Sequence, residues 1–340
     1  MRLICITALT LLAALSACAG GGSTPEPGPP PTAGPAPALD RPLLVGGSPS
    51  AITAALGSVW VVDGLGGQLV RVDPRSGNVV GRSPAGQAPV AVAAAEGAVW
   101  VADAGGTVQR FDAATGEATG EPEPVPAPGG IAVGEGAVWV TSQSGGTVTA
   151  LDPATGRRQG RPIEVGPRPA DVAVGGGAVW VANGAQLDGT ISRVDPSSRK
   201  ADAPIDVVGD EGQVFALTYG EGAVWVAGST EMRGDRVDVL RIDPDSSELE
   251  DTLVRLERPG LPVRLATGAG SVWVAQGGAG AGGLTGGEGP SGTLARLDPD
   301  ARRRTGSVTR LPGSPTGVSV GEGGVWTAIG GDGAVVRAEP

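Results

Sequence analysis

Apolar and polar positions alternate along most of this chain in short runs, and no stretch recurs with a helical period. The pattern is cleanest over residues 130–166. Gly130-Ile131-Ala132-Val133-Gly134 is an apolar run of strand length, and Glu135-Gly136 suits a tight hairpin. Residues 137–141 form a second strand, Ser144-Gly145-Gly146 turns the chain, and residues 147–152 form a third strand whose β-branched residues alternate. In the turn over residues 152–156, Asp152 accepts backbone N–H bonds, Pro153 presets φ and Gly156 takes the left-handed position. Residues 162–166 supply a fourth strand.

This unit repeats. Trp60, Trp100, Trp139, Trp180, Trp225, Trp273 and Trp326, all seven tryptophans of the chain, each follow a valine at steps of 39 to 53 residues. A period of that size marks an array, a solenoid or a propeller. Four antiparallel strands per unit predict an all-β, seven-bladed β-propeller. First strands carry small residues where blades converge on an axis: Ala132, Ala173, Ala216, Ala266 and Ser319. Second strands are apolar on both faces, as a sheet sandwiched between two others requires. The last repeat stops at Pro340 without a fourth strand, and the orphan run 42–46 matches residues 162–166. The expectation is that 42–46 completes blade seven and closes the ring.

The chain ahead of the repeats reads differently. Leu3 to Leu15 is an apolar stretch too short to span a bilayer, preceded by Arg2. Leu15-Ser16-Ala17-Cys18 follows and resembles the lipobox of bacterial lipoproteins, whose cysteine carries the lipid. Residues 1–17 are then a signal peptide, 18–41 a lipidated Cys18 with a Gly/Pro-rich tether that cannot bury a core, and 42–340 the propeller. The expected address is the extracytoplasmic face of the cell membrane, with the protein held there as a monomer through lipid on Cys18. Cys5 falls in the signal, so the mature domain has no thiol for a disulfide, metal site or nucleophile. A net charge of −11 argues against a nucleic-acid partner.

Three strings carry a resemblance: Val-Trp-Val-Ala-Asn (179–183), Gly-Thr-Ile-Ser-Arg-Val-Asp-Pro (189–196) and Leu-Asp-Pro-Ala-Thr-Gly (151–156). They resemble bacterial YVTN-type repeats and, more broadly, the propeller superfamily that includes the virginiamycin B (streptogramin) lyases. The resemblance lies in the repeat and implies an exported propeller. Those lyases depend on a catalytic histidine and magnesium, and this chain contains no histidine. Residues 112–116 look like part of a quinoprotein repeat, but the tryptophan expected after Thr115-Gly116 is absent. WD repeats do not fit, since no Trp precedes Asp.

The chemistry on offer is narrow. Without histidine, Ser-His-Asp and Cys-His arrangements are excluded. Residues 278–283 match GxGxxG literally but sit in a low-complexity insertion, and residues 243–254 open like a calcium loop yet carry Glu248 and Val254 where Gly and Glu belong. Both read as plain loops. Third strands mostly end in Arg-apolar-Asp: Arg71/Asp73, Arg110/Asp112, Arg193/Asp195, Arg241/Asp243 and Arg296/Asp298, with Arg337/Glu339 a variant and Ala150 breaking the series. The expected role is a set of surface ion pairs worth roughly 0–1 kcal/mol each.

One rim is asymmetric. Loops between second and third strands lengthen in blades four (183–189), five (228–235) and six (276–292). Ahead of each first strand's leading apolar residue stands a small or apolar residue (Ala51, Ala91, Gly130, Val214, Gly317), except Asp171 and Arg264. Asp171, Arg264, Asn183 and Gln276 are therefore candidates for a polar ligand site on the side of blades four to six, against the plainer alternative of a salt bridge. Asp63, Asp103, Ser142 and Asn183 end second strands, where turn capping competes with cation binding. No cofactor is expected. The function expected first is a binding or scaffold module presenting one rim to an envelope protein, peptide or glycan. The alternative is a lyase- or hydrolase-type enzyme using rim carboxylates and a divalent cation.

Overall fold

In the computed structural model, the strands of the described residues form seven sheets, each paired antiparallel throughout, with no helix. The described residues are 38–184, 189–209, 212–230, 236–250, 254–257, 260–278, 292–301 and 303–340. They belong to the compact unit Ala33–Pro340; the unit Met1–Thr32, with the proposed signal and Cys18, lies outside them. So does most of the insertion 277–292, including the GxGxxG match.

Each sheet is one sequence repeat. In blade three the strands are Pro128–Gly134, Ala137–Ser142, Thr147–Leu151 and Ile163–Glu164, paired in that order. Each first strand packs against the first strands of both neighbouring blades, and Pro315–Gly321 of blade seven packs on Pro49–Ala55 of blade one. The seven first strands therefore ring an axis, and the fold is a seven-bladed β-propeller. Blade seven takes its outer strand from the other end of the chain: Leu43 lies opposite Val335 and Leu44 opposite Ala334. Val45 adds an N–H bond to Gly333 O, and pairing begins earlier still, with Leu39 opposite Ala338.

The tryptophans hold the seams. Trp60 packs with Val92, Val99 and Phe111 of blade two, Trp100 with Ile131 and Val138 of blade three, and so on around to Trp326, which packs with Ile52, Val59 and Val61 of blade one. All seven are buried. Six donate their indole N–H to the carbonyl five residues earlier, at the hairpin before the second strand, as Trp139 does to Gly134 O at 3.0 Å. An aromatic side chain of this size buries ~150–250 Å², so one per seam supplies a large part of each interface.

The arginines and aspartates of the third strands do not pair as the sequence suggests. Each arginine instead lies over the tryptophan of its own blade, with guanidinium-to-centroid distances from 5.2 Å for Arg71 over Trp60 to 5.8 Å for Arg110 over Trp100. Arg71 and Arg110 also reach Ala114 O (2.7 Å) and Pro153 O (3.1 Å) in the next blade, whereas Arg193 and Arg241 pair with Asp202 and Glu250 of their own blades. Each aspartate faces its own turn. Asp195 accepts N–H bonds from Ser197 and Ser198 at 2.8 Å each and the Ser197 hydroxyl at 2.7 Å. The turn engages the carboxylate two residues after the arginine, which leaves the arginine to the indole face. In blade three, where Ala150 replaces the arginine, Arg199 of blade four reaches back to the Gln159 carbonyl and its side-chain oxygen, and Gln159 N bonds Ala150 O.

A second difference concerns blade five. In the first strand Gln213–Gly220, Thr218, not Ala216, stands opposite Trp225, and the bulge between Val214 and Ala216 matches those at the same place in blades one, two and seven. The counterpart of Asp171 and Arg264 in blade five is therefore Ala216, opposite Ala227, and not Val214.

Candidate functional site

The axis is the one place all blades share. Below its mouth, on the side of the first hairpins, lies a cavity of about 320 Å³ lined by Thr53, Thr218, Thr267 and Ser319 among apolar residues such as Ile52, Ile131 and Leu265. Each first strand ends its sheet, so its unpaired edge faces this space. Side chains stitch those edges together: Ser319 Oγ accepts from Ala54 N (3.0 Å), and Thr267 Oγ1 donates to Tyr219 O (2.9 Å).

Asp171 belongs to the same stitching. Its Oδ2 accepts from Leu217 N of blade five (3.1 Å) and its Oδ1 from its own neighbour Val172 N (2.9 Å). Gly130 of blade three makes the room, because a Cβ there would stand 2.8 Å from Asp171 Cα. Burial pushes the Asp171 carboxyl above the usual carboxylate range; the two N–H bonds and the more distant Arg264 charge only partly oppose it. Arg264 donates Nε–H to Thr316 O of blade seven (2.9 Å) and Nη1–H to its own Val263 O (3.0 Å). Burial lowers its pKa, and Asp171 raises it back in part.

The four residues proposed to converge do not meet at one point. Ala173 and Ala182, on the Asp171 face of blade four, pack toward blade five, and Ala266 and Ala275, on the Arg264 face of blade six, pack toward blade seven. No ion pair of the described residues joins Asp171 to Arg264, although each feels the other's charge. Asn183 is buried and turns to its own third strand, donating to Ser192 Oγ (2.9 Å) and Thr190 Oγ1 (3.3 Å). Gln276 stands on the opposite face of blade six from Arg264, because it pairs with Val263 while Arg264 pairs with Ala275. Its Oε1 and the Oγ1 of Thr293 across from it are buried without a hydrogen-bond partner, at the base of the long blade-six loop.

Asp63 and Asp103 close turns. Asp63 Oδ1 accepts from Ser48 N (2.8 Å) and Gly66 N (2.8 Å), tying the blade entry to the next loop; Asp103 does the same with Ala88 N (2.7 Å) and Gly105 N (2.8 Å). Ser142 donates to Pro126 O (2.6 Å). Sequence reasoning missed the glycines opposite them: a Cβ on Gly47 or Gly86 would overlap the Asp63 or Asp103 carboxylate. The signal was a glycine recurring two or three residues ahead of the proline that opens the first strand, as in Gly47-Ser48-Pro49. Among the described residues, no group of three or more acidic, histidine or cysteine side chains is placed to hold a metal ion, and no helix is long and apolar enough to cross a membrane.

No family model matches the chain, and no curated protein matches it. Solved structures do. Hydrazine synthase of Kuenenia stuttgartiensis aligns over 87% of this chain and 96% of its own, with a TM-score of 0.70 and 14% identity. Selenomethionine-substituted virginiamycin B lyase from Staphylococcus aureus aligns over 89% of this chain and 99% of its own, with a TM-score of 0.66 and 18% identity. A catalytically inactive variant of that lyase with quinupristin gives a TM-score of 0.65 at 18% identity, over 88% and 98% of the two chains. At these identities the likeness is one of architecture: the chain has the β-propeller fold of these structures, with seven blades and an N-terminal strand closing the last.

Proposed function

We propose that this protein is a lipid-anchored, extracytoplasmic binding module that presents the axial mouth on the side of Asp171 and Arg264 to a protein, peptide or glycan of the cell envelope. One observation carries the reading. Of the seven equivalent positions at the mouth, five are Ala51, Ala91, Gly130, Ala216 and Gly317, and the other two bear full charges of opposite sign. A ring built for stability alone has no need of either charge, since burying each costs free energy that a small apolar residue avoids. The connections that follow the second strands of blades four to six are the longest of their kind in the sequence. Cys18 with the Gly/Pro-rich segment to residue 41 supplies the anchor and the reach. Histidine-based chemistry of the lyase kind has no residue to use here.

The test is capture of envelope extract on the immobilised full-length chain, followed by mass spectrometry. Asp171→Ala and Arg264→Ala should lose the captured partner while still melting cooperatively. Retention of the same partner by both variants would refute the assignment of the mouth. Cys18→Ser should move the protein from the membrane fraction to the soluble one.

A further inference from the structure

Charge is spread unevenly around the circumference of the disc. The outer strand of blade six, Arg303–Arg310, carries three arginines and no acid, and that of blade one, Val79–Pro84, carries Arg82 and no acid. Blades two and three present acids and no base on theirs, Glu121 and Glu123 on Ala118–Pro124 and Glu164 on Ile163–Glu164. In blades four and five the outer strands balance, Lys200 against Asp206 and Arg255 against Glu257. The two basic strands therefore flank blade seven, which packs on blades six and one. Blade seven is also where the chain enters the fold, with Leu39 opposite Ala338 and Leu43 opposite Val335.

Arg303, Arg304 and Arg310 are exposed, and among the described residues none of them makes a salt bridge. Asp73 and Asp298 of the same arc accept from the backbone of their own turns. Large apolar side chains stand in the open here too: Leu44 is 77% exposed and Val80 57%. The outer strands of blades one and seven adjoin, since Arg82 Nη2 donates to Val45 O and a Cβ on Gly77 would stand 2.7 Å from Leu43. Packing of the ring does not call for exposed leucine and valine beside arginines that have no acidic partner.

We infer that blades six, seven and one form an edge that docks the disc upright on an anionic bilayer, with the arginines against lipid phosphates and Leu44 and Val80 in the headgroup layer. The inference rests on the anchored reading and adds which surface meets the lipid. A tether from Cys18 joins the fold in the middle of the basic arc, so it draws this arc toward the membrane, and basic residues at an anionic surface add to a lipid anchor. The net charge of −11 does not prevent this, because charges further than about 8 Å from the surface are screened at physiological salt. An edge-on disc leaves both of its faces, the mouth included, open to a partner.

The experiment is co-sedimentation of the full-length chain with phosphatidylcholine vesicles made with or without phosphatidylglycerol. The apolar segment from Leu3 to Leu15 is present in every arm, so the comparison isolates charge. Binding to the anionic vesicles should be roughly tenfold tighter or more, and the preference should fade as salt is raised. Each arginine at such a surface is worth about fivefold in affinity, so Arg303→Glu with Arg304→Glu should remove most of the preference while the melting profile is retained. Arg157→Glu with Arg161→Glu on blade three changes the net charge by the same amount and should leave the preference intact. Val80→Ser should weaken binding to the anionic vesicles. Equal binding to the two kinds of vesicle, or equal losses from the blade-six and blade-three reversals, would overturn the inference. Fractionation of Cys18→Ser judges the anchor separately: a chain that keeps its anchor yet shows no vesicle preference defeats the docking edge alone.

Discussion

Leu43, near the start of the described chain, lies opposite Val335, near its end. Through that pairing the ring has no open seam. Deleting residues 38–46 should therefore cost more than the loss of a loop. Buried Val45 and the packed Leu43 each contribute about 1.5–3 kcal/mol when fully buried, and the edge Ala334–Ala338 would be left unpaired. The expected outcome is destabilisation of at least ~3 kcal/mol by that same scale, with concentration-dependent association. Denaturant melts and size-exclusion chromatography read both. A melt unchanged by the deletion would show that the ring closes without this strand.

Stacking on tryptophan makes arginine hard to replace at the seams. Arg71→Ala removes the contact with Trp60 and the bonds to Ser58 Oγ and Ala114 O. It should cost about 1–3 kcal/mol. Arg71→Lys should recover only part of this, because an ammonium cannot lie flat on the ring while donating along two directions. Chemical denaturation of the three proteins gives the ranking.

Asp195 offers a clean acid-range signature. Its hydroxyl and backbone N–H bonds from Ser197 and Ser198 lower its pKa from 3.8 to about 2. A depressed carboxyl stabilises the fold fully above its unfolded value, and that contribution disappears as pH falls from about 4 toward 2. The stability difference between wild type and Asp195→Ala should be constant above pH 5 and shrink as pH falls toward 2. Equilibrium unfolding across pH 2–7 measures it.

Asp171 should behave in the opposite sense. Burial raises its pKa, so its contribution is fullest when protonated, below the unfolded value, and is lost as pH rises through the folded one. Asp171→Asn, which stays neutral and can still accept from Leu217 N, should gain on wild type as pH rises from 4 to 8. Asp171→Ala should lose about 1–3 kcal/mol, because it leaves the Leu217 N–H without its acceptor. Melting temperatures of the three proteins over that pH range carry the comparison.

The architecture was legible because one residue type, Trp, marks every seam at a regular step, and because each blade repeats the same turn chemistry. Ring closure followed from a strand missing at one end and spare at the other. The register of blade five was misread. Ala216 stands nine residues before Trp225, as Ala51 does before Trp60 and Asp171 before Trp180, so the step to the tryptophan marks the right residue where apolar character pointed to Val214. The arginines were misread for a related reason. Spacing by two puts Arg71 and Asp73 on one face, but spacing cannot tell that Asp73 is engaged by Arg75 N and Ser76 N, or that Arg71 lies on Trp60. At the mouth, the sequence isolated Asp171 and Arg264 as exceptions; which blade each leans on depends on sheet face, and that emerges only with the ring assembled.

Blade three manages without its own seam arginine because Arg199 arrives from the following blade to do an equivalent task at Gln159. The cement between neighbours can thus be supplied from either side of a joint. A module is free to change its own composition so long as an adjacent one compensates, and the joint between the two survives the change.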